Sequence, residues 1–103
     1  MTAYLIVRAE VPEADRAGFD TWYQDEHLPE AHRDFGTAAA WRGWSNDTPG
    51  VHLAFYEFPS LDAARTLLAS DTIKAFIAEF DRVWEGRVTR SREVVEVKQS
   101  LGG

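Results

Sequence analysis

Apolar and polar positions alternate from Thr2 to Val11, with Ala3, Leu5, Val7 and Ala9 on one side and Tyr4, Ile6, Arg8 and Glu10 on the other. A period of two predicts a strand. The period then changes. Pro12 suits a first helical position, Glu13 and Asp15 complement a helix N-terminus, and Phe19, Trp22 and Tyr23 follow at i, i+3, i+4 spacing. Pro29 disfavours helical backbone at Leu28, so this helix is predicted to end or kink near His27, with a short turn restarting from Pro29 to Phe35 and closed by Gly36. Thr37 to Ser45 reads as a second strand, Asn46 to Gly50 is dense in turn residues, and Val51 to Phe58 is the clearest strand of all, so these runs predict a hairpin. Ser60 is placed to cap a helix starting at Leu61, and Ser70 with Asp71 to cap a further segment after a short break. In that segment Ile73, Phe76, Ile77, Phe80 and Trp84 keep helical spacing until Gly86 ends it. Val88 to Lys98 is the last predicted strand, and residues 101–103 read as a frayed tail.

The resulting order, β-α-β-β-α-β, predicts a single α+β domain over residues 1–100 of the ferredoxin-like type: a four-stranded antiparallel sheet with two helices on one face. A faint internal echo agrees with two similar halves, Phe19-Asp20 before Trp22 and Phe80-Asp81 before Trp84. Two helices cover only one face of such a sheet, and a face turned to water should be polar. The third predicted strand is apolar on both sides: Val51, Leu53 and Phe55 on one, His52, Ala54, Tyr56 and Phe58 on the other. A second copy of the chain is the simplest cover, which predicts a homodimer.

Composition sharpens this picture by exclusion. The chain of 103 residues has four Trp, six Phe and three Tyr, enough aromatic bulk for a core with some left for a pocket or an interface. With no cysteine, disulfides, thiolate metal sites and cysteine nucleophiles are excluded. The formal net charge is −6, and the basic residues concentrate only at Arg87, Arg90 and Arg92, so neither nucleic acid nor an anionic membrane is an expected partner. No apolar run approaches the roughly 20 residues of a membrane span, and no secretory leader is apparent, so the expected location is cytoplasmic.

His27 is the first candidate for chemistry. At a helix end its protonated imidazole would be favoured, and histidine titrates near neutrality, which suits a general acid or base. Its bland alternative is to cap the helix or to bond Asp25 or Glu26. Tyr23, one turn earlier, could share its face and bind a substrate oxygen. Trp22 and Trp84 read as packing residues on the same pattern, with Trp22 kept as a candidate substrate contact. His52 and Tyr56 share one face of the third strand, which points either into a cleft or into the dimer interface. Trp41 and Trp44 fall on opposite faces of the second strand, so one of them at most lines a given cavity. Arg8 and Arg42 are candidates to hold a carboxylate or phenolate, or else to pair with Glu10 or Glu57. His27 and His32 stand five apart across a proline, a poor spacing for a metal, and none is expected.

The stretch Phe19-Asp20-Thr21-Trp22-Tyr23-Gln24-Asp25-Glu26-His27-Leu28-Pro29 resembles the F-x-x-W-Y-x-x-E-H-x-P signature of the dimeric α/β-barrel superfamily, in its EthD-like branch. The ending Phe80…Trp84-Glu85-Gly86 before Val88 is similar too. The resemblance implies a small cofactor-independent enzyme acting on a hydrophobic aromatic or polyketide-like metabolite, of cyclase, dehydratase, isomerase or monooxygenase type. In that reading His27 moves protons, Tyr23 orients the substrate, and Trp22, His52, Tyr56, Arg8 and Trp41 contact it. Haem-binding relatives commonly take their axial ligand from the second helical region, where this chain has no histidine between Leu61 and Trp84. The alternative is a non-catalytic homodimer that binds a small apolar or aromatic ligand or assists another enzyme.

Overall fold

The computed structural model describes residues 1–102. Among them run β1 (Ala3–Glu10), a 3-10 turn (Glu13–Asp15), α1 (Arg16–Trp22), a π-helical turn (Tyr23–His27), α2 (Leu28–Phe35) and β2 (Ala39–Trp44). Then follow β3 (Val51–Phe58), α3 (Leu61–Leu68), α4 (Asp71–Trp84) and β4 (Thr89–Glu96). The strands form one antiparallel sheet in the order β2-β3-β1-β4. This is the ferredoxin-like arrangement that the periodicities predict. Of the expected tail, Leu101 is exposed and Gly103 lies outside the described residues.

Register decides which side chains meet. Leu5 pairs with Tyr56 and Val94, Val7 with Ala54 and Arg92, and Ala9 with His52 and Arg90. Partners across a ladder project to the same side, so these residues share one face. The helices pack there, burying Phe19, Tyr23, Ile73, Phe80 and Trp84 against the sheet. Each such side chain contributes about 1.5–3 kcal/mol when removed from water. Ser60 and Ser70 cap α3 and α4 as expected, accepting hydrogen bonds from the Ala63 and Ile73 amides.

The internal echo has a structural counterpart. Phe19 packs on Phe80 with centroids 6.1 Å apart, and Trp22 on Trp84 at 5.9 Å. Each following aspartate pairs with an arginine on an edge strand. Asp20 meets Arg42 of β2 at 2.7 Å, and Asp81 meets Arg90 of β4 at 3.1 Å. The half-turns of the two halves are thus pinned to opposite edges of the sheet.

One prediction is corrected. The helix neither ends nor breaks at His27: Leu28 keeps helical backbone, φ −68° and ψ −46°, directly before Pro29. The Leu28 N–H bonds the Tyr23 carbonyl five residues back, a π-type bond. A widened turn accommodates a proline that lacks an N–H and crowds the preceding turn. The chain therefore continues from Arg16 to Phe35 and stops at Gly36, whose φ of +67° suits glycine.

The second sheet face carries Tyr4, Ile6, Leu53 and Phe55, all partly covered, with Trp41 at 43 % and Val95 at 42 % exposure. Trp41 stacks on Phe55 with centroids 5.5 Å apart, and Tyr4 meets it edge-on. No helix of the described residues lies over this face, and none is long and apolar enough to cross a membrane.

Candidate functional site

The helix layer does not close fully on the sheet. A narrow cleft, enclosing about 30 Å³ and about 370 Å³ once its open side is counted, lies between β1, β3 and β4 below and the Tyr23–Phe35 region and α4 above. Leu5, Val7, Phe35, Ile73, Phe76 and Ile77 supply apolar wall. Five polar side chains line the same space: Tyr23, His27, Tyr56, Arg90 and Arg92.

The π turn brings Tyr23 and His27 in together, both buried, with ring centroids 4.9 Å apart. Trp22 does not line the cavity; it lies flat on the far side of the His27 ring, centroids 4.4 Å apart. Phe76 and Phe80 complete an aromatic cage around the imidazole. Asp25 and Glu26 are exposed, and among the described residues no side chain hydrogen-bonds the His27 ring. Its electrostatics differ from those of a helix end. Burial first, and the nearby Arg90 charge second, push the imidazole down to about 4, so it is neutral near neutral pH. The protonated form expected at a helix C-terminus is disfavoured by this burial, and the helix does not terminate there.

Burial pushes the Tyr23 phenol up to about 12, opposed by a hydrogen bond with Tyr56 and by the charges of Arg90, Arg42 and Arg92. Tyr56 is raised well above the usual phenol range by burial and by Tyr23. Both hydroxyls remain protonated at neutral pH; with one O–H spent between them, the pair has one O–H left to donate to a ligand oxygen. The cavity thus combines two phenols, one neutral imidazole and two guanidiniums against apolar walls.

The remaining candidates scatter. His52 faces the helices, not the opposite sheet face, and is packed between Phe19, Tyr23 and Trp44. Its Nε2 accepts from Arg42 Nη1 at 3.3 Å, since a guanidinium can only donate. Asp20 accepts from Arg42 at 2.7 Å and from the Trp44 indole N–H at 2.8 Å, and these bonds hold its carboxyl below the usual range. His52 therefore supports Tyr23 from behind and stays outside the cavity lining. Arg42 serves Asp20 instead of Glu57, which accepts from the Tyr4 hydroxyl at 2.8 Å. Arg8 and Trp41 lie on the other sheet face, where Arg8 pairs with Glu10 at 3.4 Å; neither can reach a ligand in the cavity. His32 turns to Thr37, 2.6 Å from Nδ1 to Oγ1, away from His27.

Arg90 and Arg92 are the site residues that motif reasoning overlooks. Both occupy the positions of β4 that face the helices, a parity visible only through the pairing of Ala9 with Arg90 and Val7 with Arg92. Arg90 is mostly buried, its guanidinium 3.9 Å from the Phe80 ring centroid. Burial lowers its pKa, and Asp81 opposes that shift.

Solved structures share this fold. An EthD-family protein from Bacillus halodurans superposes with a TM-score of 0.74 over 94% of this chain and 99% of its own, at 19% identity. The shared fold is the ferredoxin-like one. SnoaB, a cofactor-independent oxygenase from Streptomyces nogalater, matches with a TM-score of 0.68 at 14% identity, covering 99% of this chain and 98% of its own. An antibiotic biosynthesis monooxygenase-like protein from Deinococcus radiodurans gives 0.71 at 17% identity, over 97% and 96% of the two chains. At such identities the likeness is one of fold. No protein-family model and no curated protein sequence matches the chain. Within this fold the cavity occupies the space between helix layer and sheet, with His27 at its roof and Tyr56 on its floor.

Proposed function

We propose that the chain is a small homodimeric enzyme that needs no cofactor and acts on a hydrophobic aromatic or polyketide-like metabolite, with His27 as its proton-transfer group. The observation that carries this reading is geometric: His27, Tyr23 and Tyr56 line one otherwise apolar cavity, with the Tyr23 and His27 rings 4.9 Å apart. A neutral imidazole inside such a cavity accepts a proton from an acidic C–H or O–H of the ligand, and the Tyr23–Tyr56 pair donates a hydrogen bond to the oxygen on which negative charge develops. That step is common to cyclase, dehydratase, isomerase and oxygenase chemistry on enolisable rings. The name of one structural neighbour, a cofactor-independent oxygenase, supports the absence of a cofactor. The second copy would cover the sheet face bearing Leu53, Phe55 and Trp41.

Deuterium exchange into 2-tetralone, a flat bicyclic ketone with acidic C–H bonds, tests the proton transfer by NMR. The protein accelerates exchange over buffer, and His27→Ala lowers that rate by about 100-fold, the lower end of general acid–base contributions. An exchange rate in His27→Ala equal to that of the unaltered protein removes His27 from the chemistry. No acceleration by the unaltered protein leaves the non-catalytic ligand-binding homodimer as the better reading.

A further inference from the structure

The polar groups of the cavity are two phenols and one imidazole, each able to donate and to accept, and two guanidiniums that only donate, and no carboxylate lines it. This inverts the character of the whole chain, whose net charge is −6. Arg90 spends part of its charge on Asp81, at 3.1 Å, while among the described residues Arg92 forms no ion pair. Their sheet neighbours on β1, Ala9 and Val7, are too short to fill the space above the strand, so the two guanidiniums overlook the apolar floor. Their charge is felt inside, since both arginines oppose the upward shift of the Tyr23 phenol. An uncompensated guanidinium beside an apolar wall favours a ligand that brings the missing negative charge.

We propose that the cleft takes its ligand as an anion: a flat apolar molecule with a carboxylate, phenolate or enolate oxygen held by Arg92 and Arg90, its ring system against Phe76, Ile77 and Leu5. This rests on the reading of the cavity as a ligand site and narrows its substrate class. Arg92, exposed, meets the anion from the solvent side, and Arg90 and the remaining O–H of the Tyr23–Tyr56 pair hold it from within. An oxygen so placed is stabilised in its ionised form, which lowers the cost of taking a proton from the adjacent carbon or hydroxyl.

The test compares 2-naphthoate with 2-naphthamide, near-isosteres that differ in charge, by titration calorimetry on the full chain. Naphthoate binds about ten-fold or more tightly than the amide, the scale of a charge-assisted contact. Arg92→Gln removes most of that difference, weakening naphthoate binding far more than amide binding. Because Arg92 is exposed, the variant is expected to fold; should it melt early, Arg90→Lys, which keeps the charge and loses the planar fork, provides the second comparison. Equal binding of the two ligands, or equal losses for both in the variants, overturns the anion assignment and leaves the cavity a ligand site. Failure of both ligands to bind the unaltered protein overturns the anion assignment, and the ligand-site reading then stands or falls on the tetralone experiment.

Discussion

His27 and His52 are two buried histidines of different function in the architecture, and both are held neutral. Burial is the first cause in each case; Arg90 adds to it at His27, opposed by Glu79, and Arg42 at His52, opposed by Asp20. Both are lowered from 6.5 to about 4, so the unfolded chain binds protons more readily than the folded one across this window. The stability each neutral ring supplies is complete above about pH 6.5 and is lost as pH falls toward 4. By about pH 5 the loss should be on the order of 2 kcal/mol per histidine. Urea unfolding at about pH 7.5 and pH 5 measures it. The midpoint should fall, and replacing His52 with Gln should flatten the dependence. A midpoint that does not move between those pH values contradicts the neutral state of both rings. His27 itself illustrates the limit of residue-level reading. Its identity and its aromatic neighbours are visible in the sequence, yet its charge state follows from a cage of Trp22, Phe76 and Phe80 drawn from two distant segments.

At the scale of elements, the hairpin turn and the π turn show how local constraint is absorbed. Gly50 has φ +81°, and a Cβ there would lie 2.7 Å from the Val11 carbonyl oxygen and 2.5 Å from Arg16 Nη2. That carbonyl belongs to the chain leaving β1, and the Val11 amide in turn bonds the Gly50 carbonyl at 2.8 Å. Gly50→Ala should therefore cost about 3 kcal/mol, combining left-handed strain with overpacking. Gly36→Ala, at φ +67° with open space around the added carbon, should cost only about 1 kcal/mol. Chemical denaturation of the two variants checks the ranking, and an equal or reversed order refutes it. Turn residues announced both positions in the sequence. The π turn was not legible: a proline predicts a break, and a continuous helix results because Leu28 finds an acceptor five residues back. Tyr23 and His27, at the two ends of that turn, both line the cavity.

For the whole molecule, the sheet face away from the helices frames the proposed homodimer. Tyr4, Ile6, Trp41, Leu53, Phe55 and Val95 gather there without a cover among the described residues. Burying a few of them would contribute about 1.5–3 kcal/mol each, enough for association before entropic costs are met. Light scattering should give twice the chain mass at micromolar concentration. Leu53→Glu, at the centre of the face, should give the chain mass with unchanged circular dichroism. A monomeric unaltered protein would refute the dimer.

The hydrophobic periodicities of this chain determine its elements and their order, and through them the ferredoxin-like fold, because each period of two or of 3.6 has one way to bury its apolar side. The F-x-x-W-Y-x-x-E-H-x-P stretch likewise marks the neighbourhood of the site. Which residues meet there is decided only by the tertiary structure. Strand register turns Arg90 and Arg92 toward the helices and Arg8 and Trp41 away from them, since a shift of one residue would exchange the two faces. Sequence names the side chains, but only a fixed register gives the cavity its two guanidiniums, and only the packing of two distant helical segments buries its histidine.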